Sequence, residues 1–162
     1  MVSNFRTNFQ PVQVGDVLFR YALTTSRGDW RQGRAGHFGW EVANPLSPVG
    51  ITGPQEGTLA ESASFCQLDQ SNVVLLTIKA AEDGDGLIVR LAETEGRDTA
   101  VNVTLPFVQI GQALQTNLVE EYERTLSYDR HSFRVSVRSH GVATVRCRHA
   151  RRWPRTSKVA YQ

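Results

Sequence analysis

Apolar and polar residues alternate along this chain in short stretches broken by turn signals. No window sustains the i, i+3, i+4, i+7 spacing over the roughly 10 to 12 residues that a helix needs. A period of two places successive side chains on opposite faces of a strand, so one face is buried and the other is wet. In Ser132–Arg138, Phe133, Val135 and Val137 face one way and Arg134, Ser136 and Arg138 the other. In Val142–Arg148, Ala143, Val145 and Cys147 oppose Thr144, Arg146 and Arg148. The same reading predicts strands over Val17–Thr24, Val73–Lys79, Leu87–Glu93 and Ala100–Leu105, with weaker ones over His37–Val42, Ser64–Leu68, Val108–Ala113 and Glu121–Leu126.

Turn chemistry orders these strands. Glu82-Asp83-Gly84-Asp85-Gly86 and Ser139-His140-Gly141 both read as hairpin links, whereas Asn44–Leu59 holds three prolines and three glycines without periodicity and reads as a long surface loop. Short strands at this spacing predict an all-β fold, an antiparallel two-sheet sandwich with a long loop near 44–59. A chain of 162 residues fits one domain, here 1–150, followed by a basic tail over 151–162 that is expected to be mobile. The longest apolar runs, such as Val73–Leu76, fall far short of the ~20 residues of a membrane helix, and no signal peptide opens the chain, so a cytoplasmic location is expected and no membrane partner.

The charge is lopsided: residues 1–129 carry a net −7 and residues 130–162 a net +9 with no acid. Arg146–Lys158, with Trp153 interleaved, is the stretch that nucleic-acid phosphates would meet, but the acidic remainder opposes that partner and a solvated tail is expected. Cys66 and Cys147 belong to no C-x-x-C pair and read as reduced core residues, with a single disulfide as the alternative.

Motifs for catalysis are missing from the residue pattern. Glu82, Asp83 and Asp85 are the nearest approach to a glycosidase carboxylate pair, but a turn tip does not desolvate a general acid, so a solvated turn is expected. Read as a calcium loop, the same turn lacks the closing Glu. His131, His140 and His149 recur without a metal-ligand spacing, so no metal site is expected in this chain. Asn102-Val103-Thr104 is a formal glycosylation triplet, to which no role is given. Trp30, beside Arg27, Asp29 and Arg34, is the candidate for stacking on a sugar ring, whereas Trp40 is expected in the core.

The stretch Asn72–Glu93, reading NVVLLTIKAAEDGDGLIVRLAE, resembles the hairpin near the C-terminus of family-38 glycoside hydrolases, the α-mannosidases. Ser3–Phe9, Phe19–Thr24, Asn44-Pro45-Leu46, Asn117–Glu120 and Val142–Arg146 are similar, in order, to further segments of that family. Arg6 and Ala92 depart from its pattern. The resemblance implies a non-catalytic C-terminal sandwich that supports a catalytic domain and lines its glycan cleft. It also implies that zinc and the aspartate nucleophile reside in that other domain, with a mannose-containing glycan as the ligand of the whole. Arg90 has two readings: contacts on the sandwich surface, or an interdomain contact to the catalytic domain. A stand-alone mannose-binding module is the alternative function.

Overall fold

The structure, a computed structural model, describes residues 15–54, 56–57 and 60–150. The chain divides into two compact units, 1–49 and 50–162.

In the first unit the described residues hold one helix, α1 (Ala35–Ala43), and no strand. Two strand expectations are thereby corrected. Val17–Thr24 joins no ladder, and Leu18, Tyr21 and Leu23 stand 78%, 85% and 94% exposed. Alternation makes a strand only where a neighbouring strand takes up its backbone groups. His37–Val42 is helical instead, its turns closed by Phe38 N–H to Arg34 O and Asn44 N–H to Trp40 O. An apolar stretch this short carries no decisive period. Trp40 accordingly lies exposed on α1 rather than in a core. Asn44–Leu59 holds no helix or strand among its described residues.

The second unit is the all-β, two-sheet antiparallel arrangement that the alternation predicts. Its strands are β1 (Gln67–Leu68), β2 (Val73–Ala80), β3 (Leu87–Glu93), β4 (Thr99–Thr104), β5 (Ile110–Thr116), β6 (Tyr122–Thr125), β7 (Ser132–Val137) and β8 (Val142–His149). One sheet runs β1-β4-β7 and the other β2-β3-β8-β5-β6. Val89 and Leu91 of β3 and Ala143, Val145 and Cys147 of β8 meet Val101 and Val103 of β4 and Phe133, Val135 and Val137 of β7 in one buried cluster. Each Val, Leu or Phe side chain among them contributes about 1.5–3 kcal/mol on leaving water.

The Glu82–Gly86 link is the expected hairpin, joining the paired β2 and β3. Ser139–Gly141 is not one: β7 pairs with β4 while β8 pairs with β3 and β5, so this turn carries the chain from one sheet to the other. Side-chain acceptors hold it there, Asp98 Oδ1 taking Ser139 N–H at 2.8 Å and Glu93 Oε2 taking His140 N–H at 2.9 Å.

A bulge in β2 decides which residues meet outside the core. Leu75 pairs with Leu91 but Thr77 with Arg90, so Leu76 is the extra residue. In an unbroken strand Lys79 would share the inward parity of Val73; the bulge flips it to the outer face, opposite Ile88.

Candidate functional site

Charged side chains from three strands, β2, β3 and β8, and two turns converge on the outer face of the larger sheet. The loop between β5 and β6 folds back across that face, and Glu120 is its anchor. Glu120 Oε1 receives Lys79 Nζ at 2.7 Å, and Oε2 accepts from Glu82 N–H at 3.0 Å and Arg146 Nη2 at 3.4 Å. Arg146 Nη1 donates to Asp83 Oδ2 at 2.6 Å, Arg148 Nε stands 2.8 Å from Asp85 Oδ2, and Lys79 also pairs with Glu82. The result is an alternating seam of cations and carboxylates over the β2–β3 turn.

The centre of the seam is dry. Arg146 is 8% exposed and Glu120 9%, and Ile88 and Thr144 beneath them are buried. Glu120 holds φ of +68°, a left-handed conformation that costs a non-glycine residue on the order of 1 kcal/mol and persists only where its surroundings fix it. Those surroundings are the ion pairs, together with Asn117, whose Oδ1 accepts from Val119 and Glu121 N–H and whose Nδ2 donates to Glu121.

Two of the seam's carboxylates, Asp83 and Glu120, are shifted toward their charged form. The Arg146 guanidinium holds Asp83 below the usual carboxylate range, and the Lys79 ammonium and Glu82 N–H do the same for Glu120. Lys79 is raised in turn, first by Glu120 and then by Glu82. A general acid needs the opposite shift, so this geometry positions backbone instead of transferring protons.

Arg90 lies on the same face. Its Nη2 donates to Leu118 O at 2.9 Å and its Nε to Thr144 Oγ1 at 3.3 Å, so its contacts fall on the sandwich's own surface. Glu93, three residues on, points to the other side and is 3% exposed. Its carboxylate accepts from Asn72 Nδ2 and from the N–H groups of Glu95, Gly96, Arg97 and His140, which gathers the β3–β4 turn and the β7–β8 crossover at one end of the sandwich. Burial pushes Glu93 up, but the bonds from His140, Asn72, Glu95 and Gly96 outweigh it and hold the pKa at about 2.

The sugar-stacking candidates fall in the first unit, at the turn entering α1. Trp30 is 47% exposed, and Arg31 stacks its guanidinium 4.2 Å from the ring centre, covering one face. Asp29 Oδ1 is committed to the N–H groups of Arg31 and Gln32, Arg34 Nη2 lies 3.3 Å from His37 Nδ1, and Arg27 is exposed. Sequence proximity places these residues together, yet two of the three polar partners, Asp29 and Arg34, are already engaged.

Arg146 and Arg148, expected in the basic stretch, belong to the seam, and residues 151–162 lie outside the described residues. Ser3–Phe9 also lies outside them. Both cysteines are free; Cys147 is buried in the core and Cys66 is partly buried against it. Among the described residues no group of three or more His, Cys, Asp or Glu is arranged to hold a metal ion. The seam itself escaped the sequence reading because the β2 bulge that turns Lys79 outward leaves no mark in composition. Its parts were singled out separately, the Glu82–Gly86 turn by its acids and Asn72–Glu93, Asn117–Glu120 and Val142–Arg146 by resemblance, but not their convergence.

Residues 72–145 match the model of the glycosyl hydrolases family 38 C-terminal beta sandwich domain. The match runs from the Glu93 partner Asn72 through Lys79, the 82–86 turn, Arg90 and Glu120. No curated protein matches the chain.

Proposed function

We propose, from the match of residues 72–145 to the glycosyl hydrolases family 38 C-terminal beta sandwich domain, that the chain serves an α-mannosidase-type enzyme as a non-catalytic domain. It buttresses the catalytic domain and lines part of the glycan cleft. The observation that carries this reading is the seam: every carboxylate in it is matched to a cation or a backbone N–H, an arrangement suited to holding surface loops in fixed positions. In this reading the zinc chemistry of the enzyme belongs to the catalytic domain, as the resemblance implies, and no step is routed through this chain.

The test is turnover. The purified chain with an aryl α-mannoside and zinc is expected to release no mannose, and to raise the thermal stability of a separately expressed family 38 catalytic domain when the two are mixed. Zinc-dependent release of mannose by this chain alone would refute the proposal.

A second reading rests on Trp30, exposed beside Asp29, Arg27 and Arg34: a mannose ring stacked on the indole face that Arg31 leaves open. Calorimetry with mannose and mannobiose decides it. Heat at millimolar sugar that Trp30→Ala abolishes supports it, and silence removes it.

A further inference from the structure

We propose that Phe65 and Phe107, an exposed pair of rings at one end of the sandwich, are the docking site of the chain's own tail, and that Trp153 is the residue that seats on them. The inference stands apart from the supporting role proposed above. Phe65 precedes β1 and Phe107 lies in the β4–β5 link, and their ring centres stand 4.9 Å apart with the planes at 43°. Although they touch, they are 61% and 50% exposed, so each leaves an outer surface in water. Aromatic side chains carry large apolar areas, and two packed together outside a core form a patch rather than a scattered exposed residue.

The occupant follows from where the chain runs. β8 lies antiparallel to β5 with His149 opposite Ile110, so beyond His149 the chain heads along the residues that precede Ile110. Ala150 N–H donates to Gln109 O at 2.9 Å, and Gly111 lets Ala150 lie close, since a Cβ there would meet Ala150 Cα at 2.7 Å. The described residues end at this fastened point, and Gln109 is two residues from Phe107, on the turn closed by Val108 N–H to Leu105 O. The same direction carries Arg151 and Arg152 past Val108 and Phe107, and Trp153 follows. Three residues span at most about 10 Å, which from Ala150 brings the indole to the exposed rings. Pro154 has no N–H with which to extend a ladder, so the run along β5 stops at the indole.

Area favours the tail over a second copy. Two rings fall well short of the about 800 Å² per partner that a stable contact between free chains buries. A residue three positions from a fixed point needs no such area, because its short tether keeps it near the rings at an effective concentration in the millimolar range. Charge does not decide the matter: the exposed Asp129 and Arg130, on the loop whose Arg130 carbonyl accepts Ile110 N–H, offset one another.

The experiment reads the exposure of the indole in the full chain. Trp30→Phe/Trp40→Phe leaves Trp153 as its one tryptophan, and acrylamide quenching of the fluorescence reports how often solvent reaches it. With the indole docked two-thirds of the time, quenching should be about threefold slower than in the urea-unfolded chain. Phe107→Ala is expected to bring quenching close to the unfolded value while circular dichroism shows the sandwich still folded, and Phe65→Ala should do the same independently. Leu118→Ala, at the other end of β5, should leave the protection unchanged. Quenching in the folded chain as fast as in urea would overturn the proposal, and so would protection that survives both Phe substitutions. Protection that fades on dilution would assign the rings to the tail of a second copy and overturn it as well.

Discussion

Glu93 accepts five hydrogen bonds, from Asn72, Glu95, Gly96, Arg97 and His140, with its two oxygens sharing them two and three. In Glu93→Gln, either orientation of the new amide sets its NH2 against at least two N–H donors. The expected cost is about 3 kcal/mol, measurable by urea unfolding at pH 7. The pKa of Glu93 falls from 4.5 to about 2 on folding, so its stabilisation is complete above 4.5 and is lost as pH drops toward 2. Wild-type stability should therefore decline across that window, and the Gln variant should decline less. A second residue-scale expectation concerns the thiols. Burial pushes Cys147 up to about 12 and also raises Cys66, so at pH 8 a thiol reagent should label partly buried Cys66 first and reach Cys147 only after denaturation. The reduced core cysteine was legible from composition. The Glu93 ring was only half legible, since parity placed it opposite Arg90 but nothing in the sequence announced its five donors.

At the scale of elements, strand periodicity carried the reading where a buried face existed and failed where none did. β2, β3, β7 and β8 begin at their predicted residues because each sets one row of side chains into the core, as Phe133, Val135 and Val137 do. Val17–Thr24 and His37–Val42 show similar alternation without that constraint, and one is irregular and the other helical. The bulge at Leu76 and the return of the β5–β6 loop were invisible for a related reason: both depend on partners distant in sequence. Their energetic weight can be tested at Glu120. Glu120→Gln takes a carboxylate from both Lys79 and Arg146, while Arg146 keeps Asp83, and should destabilise by about 1–2 kcal/mol. Adding Arg146→Met removes the half-paired buried guanidinium and leaves only the exposed Asp83 without it, so the double loss should be less than the sum of the single ones, a coupling that a double-mutant cycle in urea would display. Additive losses would mean that the pair contributes little beyond its separate contacts.

For the whole molecule, the division into two units sets an expectation about autonomy. Every residue of the buried cluster lies between Cys66 and Cys147, and no described residue before Val49 is buried. The nine-residue α1 has no buried residue, no side-chain hydrogen bond at its N-cap and two internal glycines, Gly36 and Gly39. An isolated helix of that length is marginal in water, because its costly first turn is repaid by too few further hydrogen bonds. A chain of residues 50–162 should therefore unfold in one cooperative transition, with a urea midpoint close to that of the full chain and a slope reduced only slightly. A peptide of residues 26–49 should show little helix by circular dichroism. The slope carries the decision, since it scales with the surface exposed on unfolding. Slope and midpoint lowered together on removing residues 1–49 would refute this expectation. If both stayed within about 10–15%, the cooperative unit would be the sandwich itself, held by the apolar rows of β3, β4, β7 and β8.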